Sequence, residues 1–255
     1  MESIFNFAPQ YQIEPWHWFL AILAAFLMGV SKSGLKGITV LIVTLLALVF
    51  GGKASTGIMM PLLITGDILA VIYYNRHANW GYLFKLLPWM IIGVLFGAYF
   101  GKDLPEVIFK KGMAVIILLT VFLMLWWDQK KESKIPDTTF FAASMGLSAG
   151  FTTMIGNLAG AFSNLFFLAM RVPKNVFIGT TAWLFFIINL FKLPFHIFYW
   201  KTITVESFKV NLILIPFTIL GLFIGVKIVD LIKETFYRKM ILVLTAVGAI
   251  LIFFR

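Results

Sequence analysis

The sequence predicts an all-α polytopic membrane protein built as two inverted repeats of about five helical segments each, with short broken helices near the bilayer midplane. Three observations predict it. Hydrophobic residues make up 61% of the 255 and charged residues 13%, and the mean hydropathy is +0.96, a composition that excludes a soluble domain of this length. Apolar stretches recur along the whole chain, and the longest polar gap, Asp128 to Asp137, is too short for a soluble domain of its own. Glycine, proline and one polar position also recur at fixed offsets between the two halves.

The repeat is read by comparing the chain with itself. At an offset of 122 residues Gly34 matches Gly156, Gly57 matches Gly179 and Asp67 matches Asn189. Further on, Pro88-x4-Gly93-x3-Gly97 matches Pro216-x4-Gly221-x3-Gly225 at an offset of 128, as if one loop of the second half were six residues longer. The chain then divides into an N-terminal segment 1–15, a first repeat 16–127, a central loop 128–137 and a second repeat 138–255. Apolar segments fall at 16–31, 37–50, 54–74, 80–101 and 105–127, and again at 138–153, 157–170, 174–195, 206–229 and 235–254. The third and fourth of each half approach the ~20 residues that a full crossing requires. The first two are shorter and Gly-interrupted, which suits tilted spans or a re-entrant pair.

Five crossings or three per half both give an odd number, so the second half enters the membrane in the opposite orientation. Lys130, Lys131 and Lys134, Arg171 and Lys174, and Lys227, Lys233, Arg238 and Lys239 then share one side, which the positive-inside rule makes cytoplasmic. Lys102, Lys110 and Lys111 fall on the other side, against that trend. Both termini are expected outside the cytoplasm, in a multi-pass protein of the cell (inner) membrane. This scatter through short loops explains the net charge of +10 without nucleic acid. The residues before Trp16 contain no Lys or Arg and do not read as a cleaved signal peptide, and with no cysteine the chain has neither disulfides nor thiolate metal ligands.

Two lysines interrupt the apolar runs Trp16–Met28 and Ile38–Phe50, in Gly29-Val30-Ser31-Lys32-Ser33-Gly34-Leu35-Lys36-Gly37. A lysine at mid-bilayer costs ~2.5–3.5 kcal/mol on insertion scales, so it faces a partner, a cavity or a transported ion. Glycine and serine at this density break a helix and expose N–H groups, which beside ammonium groups form an anion site. Ser31, Lys32, Ser33, Gly34 and Lys36 are therefore candidate substrate ligands. The plain alternative is an aqueous loop from which the lysines snorkel. The second half repeats the break as Gly146 to Gly160 without lysine, and there Thr152, Thr153, Gly156 and Asn157 offer neutral donors. An inverted repeat brings the two breaks together at mid-membrane, a mixture that suits a small oxyanion. The glycines also suit close helix packing.

Asp67 is the one carboxylate in the interior of an apolar segment. With its mate Asn189 it is a candidate for coupling or charge balancing. An anion competing for Lys32 would loosen Lys32 from Asp67 and favour uptake of a proton or sodium ion there, giving cotransport in one direction; alternatively Asp67 only balances charge. His77 and Trp80, and His196 and Trp200, near segment ends, are expected as interfacial anchors. Three histidines without an i, i+4 pair, and acids mostly in loops, give no catalytic or metal constellation, so neither an enzyme nor a cofactor is expected.

These residues resemble the TauE/SafE sulfite exporter family of bacterial inner-membrane transporters over nearly the whole chain. The resemblance is strongest in Gly29 to Gly34 with Gly37 and in Gly150 to Gly160, and it continues through Pro173-Lys174, Phe177, Gly179-Thr180, Trp183, Asn189, Lys192 and Pro194. It implies two related halves, no enzymatic cofactor, and movement of sulfite or small organosulfur anions across the cytoplasmic membrane. Two positions depart from the family pattern: Lys36 and Ala161 stand where proline is expected. The resulting expectation is a secondary anion transporter working by alternating access, with an anion channel or a non-transporting receptor or scaffold as rivals. Its partners would be a small anionic substrate, a co-transported proton or sodium ion if coupled, and membrane lipid, with no nucleic acid; a homodimer is left open.

Overall fold

A computed structural model describes residues 14–35, 38–105 and 138–233, with single positions at 107, 108, 111, 112, 115, 122, 236 and 243. Among the described residues the regular structure is helical throughout. The first half contains α1 (Pro15–Lys32), α2 (Thr39–Phe50), α3 (Gly52–Tyr74) and α4 (Trp80–Gly101), and the second α5 (Thr139–Gly156), α6 (Ala159–Ala169), α7 (Lys174–Pro194) and α8 (Val205–Leu231). Every expected segment within this range is a helix, its ends shifted by at most three residues. The fifth segment of each half and the central loop fall almost wholly outside the described residues, and Lys36 and Lys110 also lie outside them.

Local chemistry sets the helix ends. Pro15 occupies the first position of α1, where a missing N–H is harmless. The side chains of Asn79, Thr138 and Thr204 accept from backbone N–H groups in the first turns of α4, α5 and α8. The stretches 52–77, 80–101, 174–199 and 205–231 are long and apolar enough to cross a bilayer. The 12 residues of α2 reach only ~18 Å, well short of the ~30 Å hydrocarbon core. This is a multi-pass membrane protein.

Contacts at the helix ends fix direction. Lys53 donates to the Lys102 carbonyl and lies over the Trp200 ring, gathering the start of α3, the end of α4 and the end of the α7 arm at one face. At the other face Lys174 donates to the Val229 and Ile232 carbonyls at 2.6 and 2.7 Å, and Asn79 N–H to the Thr180 hydroxyl. Thus α3 and α7 run antiparallel, in contact, at the centre.

The first helix of each half packs on the fourth helix of the other: α1 on α8, and α5 on α4. The repeated glycines permit this. A Cβ on Gly221 would stand 2.0 Å from the Phe26 carbonyl oxygen, and one on Gly93 2.2 Å from that of Leu147. The outer helices α4 and α8 expose Phe84, Phe96, Phe208 and Phe223 on the face a membrane protein turns to lipid.

Histidine 196 and Trp200 correct the expectation of interfacial anchors, since both are buried. A π-helical turn over Phe195–Tyr199 folds them inward, where His196 Nδ1 meets the Thr202 hydroxyl at 2.8 Å and Trp200 donates to the Ala98 carbonyl at 3.0 Å. His77 and Trp80 are exposed.

Candidate functional site

The break in the first half begins where α1 ends. Ser33 caps it through its N–H to the Gly29 carbonyl, and its hydroxyl donates to the Val30 carbonyl at 2.7 Å. Gly34 follows at φ 121°, a left-handed conformation that glycine adopts without strain. Lys32 therefore sits at a helix C-terminus, among carbonyls whose dipoles favour a cation. This corrects the expectation that exposed N–H groups surround Lys32. Those come instead from the next helix of each half: the first turns of α2 at Thr39 and of α6 at Ala159 and Gly160.

Lys32 reaches across to α3 and pairs with Asp67 at 2.5 Å, both side chains buried. Gly66 makes room for the stem, since a Cβ there would stand 2.7 Å from Lys32 Cγ. The other Asp67 oxygen accepts from Asn189 Nδ2 of α7 at 2.6 Å. The two repeat mates thus touch across the interface of the halves. Lys32 Nζ also lies 5.4 Å from the Phe185 ring centroid.

The second break reverses this arrangement. Asn157 ends α5 at φ 57°, a left-handed cap that asparagine tolerates. Its Nδ2 donates to the Thr56 carbonyl at 3.2 Å, and its Oδ1 accepts from Lys192 Nζ of α7 at 2.7 Å. Lys192 donates as well to the carbonyl and hydroxyl oxygens of Thr153, both at 3.0 Å. In the first half the lysine is on the break and its acceptor on the third helix; in the second half the roles are exchanged.

Both breaks face one cavity of about 30 Å³, with Ser31, Lys32, Thr39, Thr153, Asn157, Asn189 and Phe185 among its walls. That is room for about two waters. Of the residues expected at the site, Ser31, Lys32, Thr153, Asn157 and Asn189 line it, and Asp67 stands directly behind Lys32. Ser33, Gly34, Thr152 and Gly156 are not in its wall; the Thr152 hydroxyl is turned back onto the Ser148 carbonyl of its own helix at 2.8 Å. Lys192, fully buried beside Thr153 and Asn157, was not among the residues expected here. The signal for it is the one that marks Asp67: a charge inside an apolar segment.

No curated protein and no solved structure matches this chain. The family described as "Sulfite exporter TauE/SafE" matches over residues 21–252, nearly its full length. Helices long enough to cross a membrane, two interlocked halves and that match agree: the chain belongs to the TauE/SafE sulfite exporter family.

Proposed function

We propose that this protein is a secondary transporter that carries small oxyanions, sulfite or organosulfur anions, across the cytoplasmic membrane by alternating access, with both termini outside. One observation carries the reading: the two broken-helix regions, one from each half, line one shared cavity, with the buried side chain of Lys32 in its wall. Antiparallel α3 and α7, and the exchange of first helices between the halves, support an inverted repeat whose halves rock about that cavity. The anion is taken to bind Lys32 Nζ, with Ser31, Thr39, Thr153 and the first-turn N–H groups of α2 and α6 as donors.

Alternating access requires that the site never opens to both faces of the membrane at once, which a channel does not require. Counterflow in proteoliposomes tests this. Labelled sulfite should enter faster when unlabelled sulfite is loaded on the far side. Flux without such trans-acceleration points to a channel, and no flux of any oxyanion overturns the reading.

A further inference from the structure

Resting on the transport reading above, we infer that the gap beside Gly160 is a further ligand subsite, in which one oxygen of the bound anion is seated between the Asn164 carboxamide and the Thr39 hydroxyl.

Packing explains most glycines of these helices. A Cβ on Gly29, Gly57, Gly150 or Gly179 would stand between 1.9 and 2.7 Å from backbone of a neighbouring helix or turn. Gly160 is different, because among the described residues nothing comes nearer than 3.7 Å to a Cβ there, an ordinary van der Waals distance. Its backbone does not require glycine either: the described glycines with positive φ are Gly34 and Gly51, and Gly160 lies within α6. A helical glycine without such a reason costs stability relative to alanine. The space left open belongs to the cavity that both breaks share, since Gly160 lines it. A Cβ leans toward the N-terminus of its helix, so a side chain here would crowd the first-turn N–H groups of α6.

Polar groups border the gap. The position of the missing Cβ is 3.7 Å from Asn164 Nδ2 and 3.9 Å from Thr39 Oγ1. Asn164 stands one turn further along α6 on the same face, and Thr39 opens α2, where its hydroxyl meets that of Ser31 at 3.4 Å. Asn164 is only 1% exposed, yet its Oδ1 has no hydrogen-bond partner among the described residues. A buried carboxamide left short of partners weakens the fold, and leucine, of nearly the same shape, would not. Two unfavourable choices thus lie one turn apart and meet at one point of the cavity. An anion oxygen at that point fills the gap and accepts from the amide and the hydroxyl. Thr39 belongs to the first half and Asn164 to the second, so this subsite, like the cavity, is complete only where the two breaks meet.

Gly160→Ala and Asn164→Leu test this on the full chain in nanodiscs, with sulfite binding read by titration calorimetry and folding by thermal melting. Both variants should melt at or above the wild-type temperature without ligand, since alanine is the better helix former and leucine removes an unpartnered amide. Both should bind sulfite at least tenfold more weakly than wild type. Gly160→Ala that does not fold would show the gap to be packed and overturns the inference. A folded variant of either kind that loses less than tenfold in affinity also overturns it, the gap then holding water or nothing, and leaves transport standing. Where Asn164→Leu does not fold, Gly160→Ala decides. Wild type that binds neither sulfite nor methanesulfonate overturns the transport reading and this inference with it.

Discussion

At the scale of single residues, the Lys32–Asp67 pair separates what folding needs from what binding needs. Each partner is buried, so removing Lys32 alone strands the carboxylate, at a cost of about 3–5 kcal/mol. Lys32→Met should therefore lower the melting temperature sharply as well as abolish oxyanion binding. Lys32→Met combined with Asp67→Leu removes both charges and should recover most of the stability but none of the binding; thermal unfolding and titration of the same samples read the two apart. A double variant that binds sulfite normally would remove Lys32 from the site. Asn157→Gly is the matching test in the other half, because glycine keeps the left-handed φ and deletes only the side chain. It strips one acceptor from Lys192 and should weaken binding at least tenfold; unchanged affinity would sink the two-break site. Lys32 and Asp67 were legible in the sequence because a charge inside an apolar run has few meanings. The roles of Thr152 and Asn157 were not, since whether a hydroxyl or amide turns to a cavity or to its own backbone is decided by helix phase and packing.

Whole helices meet through glycine. The Pro-x4-Gly-x3-Gly spacing read in both halves lies on α4 and α8, where Gly93 and Gly221 face backbone of the first helix of the opposite half and Gly97 and Gly225 lie closest to the side chains of Met154 and Ser33. The repeated pattern thus marked the helices that cross between halves, while the identity of their partners needed the tertiary structure. Gly93→Val and Gly221→Val should each destabilise the protein by about 1–3 kcal/mol or more, because carbonyl oxygens cannot withdraw as side-chain ends can. Gly112→Ala, with nothing within 4 Å of the added carbon, should leave the melting temperature in place. Equal melting of all three variants would mean that α1–α8 and α4–α5 do not pack in this way. The ends of α1 and α5 were foreseen as breaks, but not which pole of the helix faces inward. Glycine and serine density signals an interruption without saying on which side of it the functional side chain will stand.

For the molecule as a whole, an inverted repeat makes two statements that flux and labelling can check. The turn after α3 and the turn after α7 belong at opposite faces, so in this cysteine-free chain Arg76→Cys should react with an impermeant maleimide only from the cytoplasmic side and Lys201→Cys only from outside. Labelling of both from one side would exclude the inverted arrangement. The second statement concerns the driving force, where Asp67 either takes up a proton or sodium ion or only balances charge. Its two oxygens are occupied by different residues, so an anion that draws Lys32 away still leaves Asn189 on the second oxygen. Charge balancing is therefore the expected role, and a cycle that carries methanesulfonate then moves one negative charge. At ~2.3 kcal/mol per charge per 100 mV, that potential alone sustains a gradient of about fifty-fold. Methanesulfonate flux into proteoliposomes should rise with an inside-positive potential set by a potassium gradient and valinomycin, and should ignore imposed pH and sodium gradients. Acceleration by either gradient, abolished in Asp67→Asn, would instead make Asp67 the coupling site.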